Sequence, residues 1–386
     1  MKTHQVQQKT ERRISAALRL VFVAALLLGQ IALAFFLSTE LRQRAAIIYT
    51  VLELAAFGYA VRIYNRTDGA SYKFGWIFLV LTVPVVGLIL YFLWNGDRQQ
   101  KRLDLKKLPM PEEPEAQQAA HRIQMEKLRR KFPQWERLSV YLSRQGYLLY
   151  GDTETRYLPT GEAFLQDMLE KLEQAEHFIF LEFFIIAQGQ IWDRMAEIFR
   201  RKAAAGVEVK IIFDDFGSMM RFPAGQIEAL RESGVEVQIF NPVHHYVNRL
   251  YFNYRDHRKI VCIDGSTAYT GGANVADEYA NLTVRFGYWK DCGIRLDGPG
   301  AWGLTREFLH MWQRNGGQLM QERDYYRPHD HREAAGFCQP FVDGPDNNPI
   351  STAEDVFLHL INNARRSVHI TTPYLAIDEP MRQALC

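Results

Sequence analysis

The chain has 386 residues, 47% of them hydrophobic and 23% charged, with 46 Lys and Arg against 44 Asp and Glu. That length leaves room for two or three domains, and the charge balance excludes a protein that binds nucleic acid through net charge alone. The four cysteines (Cys262, Cys292, Cys338 and Cys386) are scattered and form no C-x-x-C pair, which argues against a zinc site or a disulfide framework and fits a reducing compartment.

Residues 1–96 hold nearly all the long apolar runs and read as an N-terminal α-helical membrane anchor. Leu20 to Leu37 follows Arg12, Arg13 and Arg19 without a small-residue cleavage signal, so it reads as a retained helix rather than a signal peptide. Ala45 to Ile63 carries Glu53, and an ionisable group at mid-membrane is costly. That segment spans, re-enters or lies at the interface. Phe74 to Trp94 reads as a second full span of about 20 residues, the length a bilayer needs. Trp76, Tyr91 and Trp94 sit near its ends, as aromatic belts do, and Pro84 and Gly87 are tolerated in lipid. Lys9, Arg12 and Arg13 before the first segment, and Arg98, Lys101, Arg102, Lys106 and Lys107 after the last, favour two spans with both ends inside. Arg62, Arg66 and Lys73 favour the opposite arrangement for three spans. The expectation is a multi-pass cell-membrane protein with its catalytic domain on the cytoplasmic side.

Residues 97–135 form a basic linker. Its run of charge is either a stop-transfer flank or an attraction to anionic lipid, worth about 1 kcal/mol per basic residue at the surface. Pro109, Pro111 and Pro114 interrupt it, and Glu115 to Phe132 reads as a charged, solvated helical arm.

From residue 136 the pattern is that of an α/β layered domain. Gly161 opens a helix with an apolar stripe at Phe164, Leu165, Met168, Leu169 and Leu172. Phe178 to Ile186 is a buried strand interrupted only by Glu182. Helices at Ile191 to Ala205 and Gln226 to Glu232 end at Gly206 and Gly234, and strands follow at Val207 to Phe213 and Val235 to Phe240. Such alternation implies helices covering a parallel or mixed sheet. Phe164 to Leu181 is echoed without gaps by Ala353 to Ile370, with Ala175 against Ala364. Either any helix–strand unit looks like this, or residues 136–325 are a first half and 326–386 the start of a second.

The chemistry concentrates in His257-x-Lys259-x4-Asp264, followed by Gly271-Gly272-Ala273-Asn274. On a strand, period 2 puts His257 and Lys259 on one face, where an imidazole and an ammonium can address one phosphate. Neutral histidine is a nucleophile, Lys259 can offset charge on the phosphoryl oxygens, and Asn274 can donate an amide hydrogen to them. Gly272 lets the backbone approach closely. Asp264 lies on the opposite face and is placed to hold a turn. Asp291 either orients an imidazole or caps a strand. His244 and His245 lack a third ligand at suitable spacing, so no metal is expected.

These motifs resemble those of the phospholipase D superfamily. Leu181-Glu182-x-Phe184-Ile185-Ile186, Asp214-Asp215-x-Gly217-Ser218, Asn241-Pro242, Arg255-Asp256-His257-Arg258-Lys259-Ile260 and Gly287-Tyr288-Trp289-Lys290-Asp291 narrow the resemblance to its bacterial cardiolipin synthases. Pro84-x-x-Gly87-x-x-x-Tyr91 is similar to the membrane anchor of that family, and Thr372-Pro373-Tyr374 to the start of its second half. The resemblance implies His257, Lys259 and Asp264 as catalytic, with Asn274, Gly272, Asp291 and Glu182 supporting phosphate or orientation. It also implies two H-x-K motifs sharing one site, a phosphatidyl-histidine intermediate, and phosphatidylglycerol as substrate with anionic membrane lipid as partner. No cofactor and no nucleic acid are implied.

The second motif should fall near position 446, and the chain is therefore read as truncated before it. Three arrangements follow: an inactive fragment, a homodimer in which each copy lends one motif, or a second half supplied by another protein. A hydrolase using water as acceptor is the alternative chemistry.

Overall fold

Glycine, proline and apolar period mark out the elements. The computed structural model describes residues 42–66, 70–94, 115–242, 255–285, 287–318, 321–327, 334–344 and 351–386, with Leu28, Gly29 and Ala32. Most of the first apolar segment, the basic run after Trp94, and His244 and His245 lie outside the described residues. The helices α1 (Arg42–Tyr64), α2 (Ala70–Thr82), α3 (Pro84–Trp94), α4 (Glu115–Lys131) and α5 (Glu136–Arg144) come first. Then follow β1 (Glu154–Leu158), α6 (Gly161–Leu172), β2 (Phe178–Phe183), α7 (Gln190–Ala204), β3 (Glu208–Asp214), α8 (Ala224–Glu232) and β4 (Glu236–Phe240). The remainder is β5 (Lys259–Ile263), β6 (Thr267–Gly271), β7 (Gly293–Asp297), α9 (Gly300–Arg314), α10 (Thr352–Asn362) and α11 (Glu379–Leu385).

The chain divides into two compact units. One spans 104–243 and 252–359; the other spans 1–103, 244–251 and 360–386. The first unit holds a seven-stranded sheet in the order β1-β7-β6-β5-β2-β3-β4. β2, β3 and β4 run parallel, and the remaining neighbours pair antiparallel. Alternation along β2 sorts the two layers. Ile179, Leu181 and Phe183 face the core shared with Phe164 and Met168 of α6 and with Trp192 and Met195 of α7. Phe180 points the other way and stacks on Phe308 of α9 at 4.7 Å between ring centroids. Burying such a side chain stabilises by about 1.5–3 kcal/mol. Thr160 starts α6 by accepting from Ala163 N at 3.1 Å.

Helix α4 is not the solvated arm the charge pattern suggests. Gln117 accepts from the Trp302 indole at 3.0 Å, and His121 accepts from Leu149 N at 2.9 Å. Polar side chains thus dock this helix where an apolar stripe was missing. The helix of the internal echo forms as α10. The strand expected after it, through Val368 and Ile370, does not form among the described residues, and both side chains are exposed.

In the second unit the reading of Phe74 to Trp94 as one full span is corrected. Pro84 ends α2, and α3 doubles back on it. A Cβ on Gly87 would lie 2.5 Å from the Leu79 carbonyl oxygen, so only glycine permits this approach. Farther from the bend the Trp76 and Tyr91 rings meet at 5.4 Å. Among the described residues no helix is long and apolar enough to cross a membrane.

Candidate active site

Strand direction builds the site. β5 runs antiparallel to β2, β6 to β5 and β7 to β6. The carboxyl ends of β2, β3 and β6 and the amino ends of β5 and β7 therefore share one edge of the sheet. His257, Phe184, Asp214, Asn274 and Asp291 all sit at these ends.

His257 and Lys259 share an aromatic plate. The Phe184 ring lies 4.7 Å from the imidazole, tilted by 55°, and the Lys259 ammonium sits 5.6 Å from the centre of the same ring. Lys259 Nζ donates to the His257 carbonyl at 2.7 Å. The lysine is buried and the histidine remains open to solvent. Desolvation, and then the Lys259 charge, push His257 down to about 4. Desolvation lowers Lys259 to about 8, opposed by Asp256 and Asp291. At pH 7 the pair is therefore a neutral nucleophile beside a cation, as covalent attack on a phosphodiester requires.

Asp214, at the end of β3, locks the segment that carries this pair. Its buried carboxylate accepts from Phe216 N at 2.8 Å and from Gly217 N at 3.2 Å. It also accepts from Asp256 N at 3.0 Å and from the Arg255 guanidinium at 3.3 Å. Burial raises Asp214 to about 6 despite those donors. Ser218 completes the lock, accepting from Ile186 N at 3.0 Å and donating to the Phe184 carbonyl at 3.3 Å. The sequence reading quoted Asp214 and Ser218 without giving them a role. An aspartate between a strand and a helical turn is a cap signal that points to one. Phe184 too was quoted as part of a motif without being given a role.

The other expected residues take supporting places. Asp264 stands at the far end of β5 and accepts from Glu176 N, His177 N and Phe178 N at 2.7–2.8 Å. It fixes the start of β2, as its opposite-face position suggested, and does not reach the imidazole. Asn274 is tied into the loop by both ends of its amide. Its oxygen accepts from Ile185 N at 3.0 Å, and its nitrogen donates to the Tyr279 hydroxyl at 2.8 Å. Gly272 leaves room for Asp291, whose Oδ1 would lie 2.3 Å from an added Cβ. Asp291 accepts from Cys292 N and from the Trp289 indole, which holds the entry to β7. Glu182 lies on the α9 face, where its carboxylate is 3.5 Å from Arg258. It steadies the residue between His257 and Lys259. Among the described residues no cluster of three His, Cys, Asp or Glu could hold a metal ion.

Residues 168–284 match the family model described as cardiolipin synthase, phospholipase D-like domain, and residues 54–95 match that described as phospholipase D-nuclease N-terminal. Over 80% of its length the chain is 35% identical to an uncharacterized protein of Streptococcus mutans, covering 67% of it. It is 31% identical over 86% of its length to cardiolipin synthase 2 of Bacillus anthracis, covering 65% of that protein. It is 26% identical over 95% of its length to the probable cardiolipin synthase YwiE of Bacillus subtilis, covering 73%. The chain thus spans about two thirds of the length of these relatives. The first matched range contains β2, β3, β5 and β6, the strands that build the edge described above. The chain belongs to the cardiolipin synthase family of phospholipase D-like proteins.

Proposed function

We propose that this chain is a phosphatidyltransferase of the cardiolipin synthase type, acting on phosphatidylglycerol at a membrane surface. The observation that carries the reading is the neutral, solvent-open His257 beside the Lys259 ammonium on the Phe184 plate. A His257 nitrogen attacks the phosphorus of phosphatidylglycerol, and the bond to the glycerol oxygen breaks. Lys259 offsets the charge on the non-bridging oxygens. The departing glycerol oxygen takes a proton from a second imidazole, which enters this step as the imidazolium of the assembled site. That imidazole then takes the proton from a hydroxyl of a second phosphatidylglycerol, whose oxygen displaces His257 and forms cardiolipin. The sequence contains one H-x-K motif. The second imidazole is supplied from outside these 386 residues, by a second copy of the chain or by a second half. The names of the relatives support cardiolipin as the product, the apolar helices α1 to α3 support attachment to membrane, and the basic residues flanking the apolar segments favour the cytoplasmic side.

The test is lipid mass spectrometry on the 386-residue chain in phosphatidylglycerol vesicles, beside His257→Ala. Cardiolipin and free glycerol that both vanish in the variant support the reading. Phosphatidic acid in place of cardiolipin means that water is the acceptor and overturns the transferase assignment. No turnover from folded chain overturns completion by a second copy.

A further inference from the structure

The apolar pair α2 and α3 is a closed hairpin with one polar end. At its base Lys73 Nζ donates to the carbonyls of Tyr64 and Arg66 at 3.2 and 3.0 Å, and Arg66 reaches the Tyr91 hydroxyl at 3.4 Å. From Phe74 to Trp94 the sequence carries no Asp, Glu, Lys, Arg or His. Phe74 is 71% exposed and Phe78 61%, and Leu81 and Phe92 are also exposed, so the outer face is apolar from base to bend. The arms have 13 and 11 residues. At 1.5 Å per residue they are about 20 and 16 Å long, well short of the roughly 30 Å of a hydrocarbon core.

Part of the backbone at the bend is bonded within the hairpin. Val83 N donates to the Leu79 carbonyl at 3.0 Å, Pro84 has no N–H to satisfy, and Gly87 N donates to the Val83 carbonyl at 2.7 Å. In hydrocarbon each unbonded backbone group costs several kcal/mol, so this internal bonding is a condition for depth. The Thr82 hydroxyl donates to the Phe78 carbonyl at 2.7 Å and is likewise satisfied.

We infer that α2 and α3 form a re-entrant hairpin that enters the bilayer from one face, turns at Val83-Pro84 inside the hydrocarbon, and leaves by the same face. Its occupant is lipid acyl chain, matched to the apolar outer face. Arg66 and Lys73 at the base meet lipid headgroups. The segments before α2 and after α3 consequently lie on one side of the membrane. This inference rests on the membrane attachment proposed above.

The test uses the full chain with its four native cysteines changed to serine, carrying Ala70→Cys or Asp97→Cys, in sealed vesicles of phosphatidylglycerol and phosphatidylcholine. A membrane-impermeant maleimide added from one side should label both positions, and added from the other side neither. Labelling of the two positions from opposite sides overturns the hairpin and restores a span. A fluorophore at Val83→Cys should be quenched by lipids bearing a mid-chain nitroxide. No quenching in vesicle-bound protein overturns entry into the hydrocarbon. Failure of the chain to float with vesicles instead overturns the attachment reading, which separates the two.

Discussion

Asp264 tests whether a residue within the signature motif acts in chemistry or in architecture. Its carboxylate holds three backbone N–H groups at the start of β2, and its own N donates to the Phe178 carbonyl at 3.1 Å. Five strand intervals separate it from Lys259, which at about 3.3 Å each is roughly 16 Å. Asp264→Ala removes all three acceptors. Phe178 N is part-buried and would cost about 1–3 kcal/mol if left unbonded, while the exposed Glu176 and His177 amides turn to water at about 0.5 kcal/mol each. The residue also sits at φ 53°, where alanine adds about 1 kcal/mol of strain. The expected loss is about 3–5 kcal/mol. Asp264→Asn keeps one acceptor oxygen and tolerates that φ, so its loss should be less than half as large. Urea unfolding of the full chain in detergent measures both. The titration of His257, followed by NMR of labelled imidazole, should not move in either variant. Unchanged stability together with a shifted His257 titration would refute the argument and place Asp264 in the site.

The pH dependence of turnover should show an acid limb near 4, where His257 takes up a proton and ceases to be a nucleophile, and an alkaline limb near 8, where Lys259 loses its charge. An acid limb near the ordinary histidine value of about 6.5 would mean the site does not desolvate the ring. Asp214 has a folded value raised to about 6 from 3.8. Its contribution to stability is thus fully present below 3.8 and is lost as pH rises through 6, by about 3 kcal/mol. Asp214→Asn should remove that slope, read as the difference between wild-type and variant stability curves from pH 4 to 7. Asp277 accepts from Gln190 N at 2.9 Å and Ile191 N at 3.0 Å at the start of α7. Asp277→Ala should cost about 1–2 kcal/mol in urea unfolding, and no loss would mean that water replaces the cap fully.

What was legible in the sequence had a short period. The strands Phe178–Phe183 and Glu208–Asp214, and the stripe of Gly161–Leu172, follow from alternation and from the 3.6-residue repeat. The H-x-K spacing likewise needs only one strand to bring two side chains to one face. What was not legible depends on partners far along the chain. Asp264 meets His177 across 87 positions, and Asn274 meets Ile185 across 89. No local pattern distinguishes an amide kept for phosphate from one already bonded to a backbone N–H. The hairpin shows the same limit in another form. An apolar run of this composition serves equally for a straight span or a doubled one, and the difference rests on the close approach of Gly87 to Leu79. Asn274, Asp214 and Ser218 accompany the H-x-K motif because each ties one of the loops at its edge of the sheet. These bonds fix the loops around His257, and the motif alone does not show which of its polar groups are used to make them.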